Sequence, residues 1–152
     1  MQTDFQNILN EIKPLFDADK SLDQLMADIC ATLKEQVYHY DWVGFYLLDE
    51  NNNELVLGPY VGKPTDHTHI PVGKGVCGQV AESGKSKVVQ DVSAENNYIA
   101  CSIDVQSEIV VPVMKDGKFV AEIDIDSHSA APFTEEDEKF LGAICDMVAE
   151  RF

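Results

Sequence analysis

Two runs rich in branched residues, Glu108 to Met114 and Phe119 to Asp126, are separated only by Lys115-Asp116-Gly117-Lys118. An Asp-Gly pair in so short a connection reads as a hairpin turn, because its backbone twist matches that of two adjoining antiparallel strands. A parallel pair would need a crossover of a dozen residues or more. Trp42 to Leu48, the turn-like Asp49 to Asn53 and Leu55-Val56-Leu57 predict a second antiparallel pair upstream.

Helices flank these strands. Thr3 is placed to cap a helix carrying Phe5, Ile8, Leu9 and Ile12 at helical spacing, which Pro14 interrupts. Ser21 with Gln24 forms a capping box before Leu22, Leu25, Met26, Ile29, Cys30, Leu33 and Val37, one continuous apolar face. Thr134 opens a last helix with Phe140, Leu141, Ile144, Cys145 and Val148 on its buried side. Residues 58–75 read as a functional loop with a short strand at Ile70 to Val72. A short helical segment near Gly78 to Glu82 and Val88-Val89 come next. No repeat or linker divides the chain, so residues 1–152 read as one domain. The element order is that of an α+β fold, a central, mainly antiparallel sheet flanked by N- and C-terminal helices.

Composition narrows the partners. With 45% hydrophobic and 25% charged residues the 152-residue chain has the balance of a soluble globule and no apolar run of membrane-spanning length. Its 11 Lys and Arg against 27 Asp and Glu give a formal charge of −16. Such a chain offers no broad cationic face, so nucleic acid and anionic membrane surfaces are not expected partners. Met1-Gln2-Thr3-Asp4 begins without a basic segment or an uninterrupted apolar stretch, which makes the cytoplasm the expected compartment. Cysteines at 30, 77, 101 and 145 are too sparse for a disulfide scaffold.

Each cysteine is judged by its neighbours. Cys30 and Cys145 sit on apolar helix faces and read as core. Cys77 and Cys101 lie in loops or at element ends among glycine and polar residues, where a thiol is reachable by solvent and substrate, and are the redox candidates. On the second hairpin strand Ile123 and Ile125 share one face and Glu122, Asp124 and Asp126 the other. Alternation alone favours a solvated face for the acids. Glu108 opens the partner strand, however, so the alternative is a carboxylate cluster beside Cys101. Gly73-Lys74-Gly75-Val76-Cys77-Gly78 fits the dinucleotide-binding string G-x-G-x-x-G, yet a hairpin is the wrong context for it. Gly84-Lys85-Ser86 resembles the end of a phosphate loop whose earlier glycine is out of register. Asp66, His67 and His69 lack a standard metal-ligand spacing and read as exposed loop residues; no metal or cofactor is expected. His39 and His128 have no supporting pattern.

Asp41-Trp42-Val43-Gly44-Phe45-Tyr46-Leu47, Gly73 to Gly78, Ile99-Ala100-Cys101, Ser107-Glu108-Ile109-Val110-Val111-Pro112 and Asp124-Ile125-Asp126-Ser127 occur in the order found in one family. The chain resembles the free methionine-(R)-sulfoxide reductases, which are GAF domains, and the likeness extends to Phe133 to Asp137. The resemblance implies a GAF fold, a homodimer, and reduction of free L-methionine (R)-S-oxide by cysteine chemistry with thioredoxin as reductant. It implies Cys101 as the attacking cysteine, Glu108, Asp124 and Asp126 as acidic pocket residues, and Trp42 as an aromatic wall. Crowded carboxylates raise one another's pKa, which suits one of them to protonate the departing sulfoxide oxygen.

The chain departs from the family pattern in two places. Lys63 to His69 holds no cysteine where many members carry a resolving one, which leaves Cys77 as the nearby candidate. Glu122 stands where an apolar residue is more familiar. A GAF domain that binds an amino-acid-like metabolite as a sensor, without turnover, is the alternative.

Overall fold

The structure, a computed structural model, describes residues 3–17, 19–95 and 104–152. The first helix, α1 (Phe5–Ile12), is capped by Asp4 and not by Thr3: the Asp4 carboxylate accepts from the Asn7 amide at 3.1 Å, a favourable charge at a helix N-terminus. Pro14 falls in the 3-10 turn Lys13–Asp17 that follows. Ser21 caps α2 (Leu22–Gln36) through the Gln24 amide at 3.1 Å. Gln24 turns its side chain to Asp28 at 2.9 Å, the box's return bond being absent from the hydrogen bonds it makes there.

The strands are β1 (Trp42–Asp49), β2 (Glu54–Val61), β3 (His69–Pro71), β4 (Lys87–Val89), β5 (Ser107–Lys115) and β6 (Lys118–Ser127). They form one sheet in the order β3-β2-β1-β6-β5-β4, each neighbour antiparallel. Asp116 and Gly117 turn the central hairpin with φ of 53° and 79°, the left-handed pair this connection requires. Strand β2 runs on through Gly58 and Pro59, so the expected loop is shorter than its composition suggests. The glycine string is the turn into α3 (Gly75–Ser83), which connects β3 to β4. No parallel strand pair exists among the described residues, so the string lacks the βαβ frame that dinucleotide binding needs.

The sheet is covered on both faces. Ala121, Ile123 and Ile125 of β6, with Ile109, Val111 and Val113 of β5 and Val43 and Phe45 of β1, pack against α1, α2 and α4 (Glu135–Ala149). Cys30 and Cys145 belong to this core. On the other face a smaller cluster joins Tyr46, Leu55, Ile70 and Val110 to Val76, Cys77 and Val80 of α3. No helix of the described residues is long and apolar enough to cross a membrane.

A buried polar knot ties α4 to the start of β1. Thr134 and Asp137 form a complete capping box, with the Asp137 carboxylate accepting from the Thr134 amide at 2.8 Å. Its other oxygen accepts from the Tyr40 hydroxyl at 2.7 Å and lies 3.2 Å from His39 Nε2. His39, which showed no pattern in the sequence, is thus a buried structural residue. Burial acts most strongly on Asp137 and pushes its pKa up, but bonding to His39, Tyr40 and the Thr134 amide outweighs it and holds the carboxyl below its ordinary range. Asp137→Asn should destabilise the fold by about 3 kcal/mol at neutral pH. The group's contribution is present above the unfolded carboxylate pKa and is lost as pH falls through the lower folded value. Urea unfolding should therefore show the gap between wild type and variant closing only in strong acid.

Candidate active site

The register of β1, β6 and β5 sets three rows on the face beneath α3. Trp42, Asp126 and Glu108 lie side by side, then Gly44, Asp124 and Val110, then Tyr46, Glu122 and Pro112. The expectation of a solvated acidic face is overturned. Glu122, Asp124 and Asp126 are 0%, 1% and 1% exposed, and Glu108 is 5% exposed. Alternation reports which residues share a face; it does not report that a helix arriving from elsewhere in the chain will cover that face.

Cys77 also differs from expectation. It lies in the first turn of α3, buried, because the glycine turn lays that helix directly on the sheet. Gly78 allows the close approach: a Cβ there would stand 2.7 Å from the Pro71 carbonyl oxygen. The Cys77 sulfur is 3.9 Å from Glu108 Oε2, and Cys77 Sγ, a Glu108 oxygen and an Asp124 oxygen all lie within 4.8 Å of one another. A divalent cation at this spacing would have to displace the protons that burial favours on Cys77 and Asp124, so the cluster is not read as a metal centre. A small pocket opens onto them, lined further by Tyr46, His67, Ile70 and Lys74.

These groups cannot all be ionised together. Burial first, then the charges of Asp124, Glu122 and Glu108, hold the Cys77 thiol well above its ordinary range. Burial likewise raises Asp124, although hydrogen bonding with Glu108 and Cys77 and the nearby His67 pull it partly back. Asp124 therefore keeps its proton to higher pH than it would in water, which suits a proton-donating site.

Tyr46 lines the pocket, and Trp42 precedes it by four residues on the same face of β1. The indole nitrogen donates to the Lys63 carbonyl at 3.0 Å and the Tyr46 hydroxyl to the His67 carbonyl at 2.8 Å, so two side chains of one strand pin the 63–67 loop. The indole stacks on Tyr60 at 5.3 Å and lies across Gly44.

Of the six residues singled out in the sequence, Cys77, Glu108 and Asp124 converge at the pocket, and Trp42 and Asp126 share its sheet face. Cys101 lies outside the described residues. His69 is exposed as expected, whereas His67 is half-buried at the pocket. Tyr46 and Gly44 were missed, although alternation from Trp42 places both on this face.

Residues 21–152 match the GAF domain family, and the chain is a GAF domain. It is 41% identical over 140 residues to GAF domain-containing protein A of Dictyostelium discoideum, covering 92% of this chain and 87% of that one. It is 36% identical over 141 residues to free methionine-R-sulfoxide reductase of Escherichia coli (strain K12), covering 92% of this chain and 84% of the other. The X-ray structure of free methionine-R-sulfoxide reductase from Neisseria meningitidis in complex with its substrate superposes with a TM-score of 0.92 at 39% identity, covering 97% of this chain and 87% of that chain. Within the GAF domains, the chain belongs to the free methionine-R-sulfoxide reductase family.

Gly44 provides a test of the packing around Trp42. A Cβ there would lie 2.4 Å from Cη2 of Trp42 and 2.8 Å from Cβ of Tyr60, so neither ring can stay in place. Gly44→Ala should cost about 1–3 kcal/mol of stability and expel the indole. Trp42 is the chain's single tryptophan, and its fluorescence should move to longer wavelength in the folded variant.

Proposed function

We propose that this protein reduces free L-methionine (R)-sulfoxide to methionine, and that Cys101 supplies the attacking sulfur. The observation that carries the reading is the convergence of a buried thiol and two buried carboxyls, Cys77, Glu108 and Asp124, beneath one pocket. Family membership at 36% identity over 92% of the chain supports the substrate.

The chemistry follows from these groups. Sulfur of Cys101 attacks the sulfinyl sulfur while the Glu108–Asp124 pair gives a proton to the oxygen. The protonated oxygen passes to the Cys101 sulfur as its bond to the methionine sulfur breaks, the Cys101 thiol proton returns to the Glu108–Asp124 pair, and methionine leaves a sulfenic acid on Cys101. Cys77 then attacks that sulfur: an S–S bond forms, the S–O bond breaks and water departs. Two electrons from a dithiol return the enzyme to its reduced state, with thioredoxin as the reductant in the cytoplasm. Asp126 and whichever pocket acid is ionised hold the substrate ammonium by charge-assisted hydrogen bonds, and Trp42 walls the methyl end. A second copy of the chain completes a homodimer. No step calls for a cofactor.

Methionine release from each sulfoxide epimer, with dithiothreitol and then with thioredoxin, tests the reading. Activity should be confined to the free (R) epimer. Cys101→Ser should abolish turnover, and Cys77→Ser should keep activity with dithiothreitol but lose it with thioredoxin. Glu108→Gln should lower kcat by roughly 10²-fold with a smaller change in KM. Stoichiometric binding of the sulfoxide with no methionine formed would instead identify a sensor domain, and full activity in Cys101→Ser would remove the assigned nucleophile.

A further inference from the structure

Among the described residues of the site face, Glu122 is the one buried acid for which this reaction has given no task. It occupies the third row of the site face, between Tyr46 and Pro112, and is fully buried. It does not line the pocket that Cys77, Glu108 and Asp124 share. It reaches the Cys77 thiol without lining that pocket. Neither of its carboxyl oxygens has a partner at regular hydrogen-bond geometry. The polar groups that act on it are the Asp124 carboxyl and the Cys77 thiol, the latter in a looser contact. An unpartnered carboxyl in an apolar cluster destabilises a fold, so packing alone does not explain it.

We propose that Glu122 is the proton acceptor for Cys77 when that thiol attacks the sulfenic acid. The assignment rests on the reading of Cys77 as the resolving thiol. The step balances as follows. The Cys77 sulfur forms a bond to the Cys101 sulfur, and its proton passes to the Glu122 carboxylate. The sulfenic S–O bond breaks, and the departing oxygen takes a proton from the Glu108–Asp124 pair and leaves as water. Cys77 is oxidised, Cys101 is reduced to the disulfide level, and the proton on Glu122 can return to Asp124, its neighbour two residues along β6.

Two physical facts suit Glu122 to this task. Its carboxyl is raised above the ordinary range, first by burial and then by the charge of Asp124, so its carboxylate is a stronger base than an ordinary one. That thiol is itself held protonated by burial and by the surrounding acids, so its attack requires an acceptor. Glu108 and Asp124 line the pocket, and Glu122 is the acid acting on the Cys77 sulfur that does not.

A single-turnover experiment decides the matter. Reduced enzyme is mixed with one equivalent of free methionine (R)-sulfoxide and quenched over time. Methionine is measured in one portion, and the Cys77 disulfide, by mass spectrometry of alkylated peptides, in another. In Glu122→Gln and in Glu122→Leu the ratio of the disulfide rate to the methionine rate should fall by roughly 10²-fold. Dimedone should trap a sulfenic acid that the wild type passes through quickly. In the wild type the disulfide rate should rise with pH and level off as Glu122 ionises. That limb should vanish in both variants, leaving only a rise in alkali. The two replacements differ in polarity and packing, so a shared loss of the limb is not a structural effect, and Leu keeps the test readable where Gln impairs folding. An unchanged ratio and pH limb, or equal slowing of both steps, would overturn the role of Glu122 alone. Methionine formation by the wild type with no Cys77 disulfide would instead overturn the resolving role of Cys77, and the assignment of Glu122 with it.

Discussion

Strand β6 buries both of its faces, and it does so against opposite kinds of surroundings. Ala121, Ile123 and Ile125 pack against a three-helix layer, while Glu122, Asp124 and Asp126 are driven beneath α3. A strand with a strict two-residue period cannot slip by one position without putting carboxylates into the hydrocarbon core. The apolar half thus fixes the register of the acidic half. The stability of the helical layer is what holds three acids out of water on the far side, at a level no acidic face would adopt by itself.

The covering of that face follows from glycines and aromatics acting together. Gly73 and Gly75, at φ of 94° and 63°, turn the chain into α3, and Gly78 lets the helix settle against Pro71. Cys77 is thereby carried onto the acids. From the β1 side, Trp42 and Tyr46 donate to carbonyls of the 63–67 loop, and Tyr46 lines the pocket. The two devices serve one end, because a thiol among carboxylates has a strongly perturbed proton affinity only where water is excluded.

Much of this was legible in the sequence. Asp116-Gly117 set the central hairpin, Thr134 marked the last helix, and the apolar faces of α2 and α4 placed Cys30 and Cys145 in the core. These are local signals, decided within a few residues. What escaped reading was decided by distant contact. The acids of β6 read as solvated because the pattern of a strand contains no information about the helix above it. Cys77 read as accessible because a glycine-rich turn resembles an exposed loop until its packing partner is known. His39 gave no signal because Asp137, the residue that accounts for it, lies 98 positions further along. The carboxylate beside an expected helix start at Thr134 was visible, but its role as an anchor for Tyr40 and His39 was not.

The same crowding bears on specificity. In a buried pocket holding Glu108, Asp124 and a protonated thiol, a positive group and a proton are alternative means of neutralising one carboxylate. An ammonium arriving with a free amino acid can take the place of one such proton while the partner acid keeps its own, so binding need not exhaust the proton that the proposed reduction then consumes. A sulfoxide within a peptide brings no ammonium. It brings an amide N–H and a carbonyl, and the carbonyl would face carboxylate oxygens that cannot donate to it unless they are protonated. On the proposed reading the discrimination is electrostatic, since a free substrate would supply a charge to an ionised pocket acid and a peptide-bound one would leave that acid uncompensated.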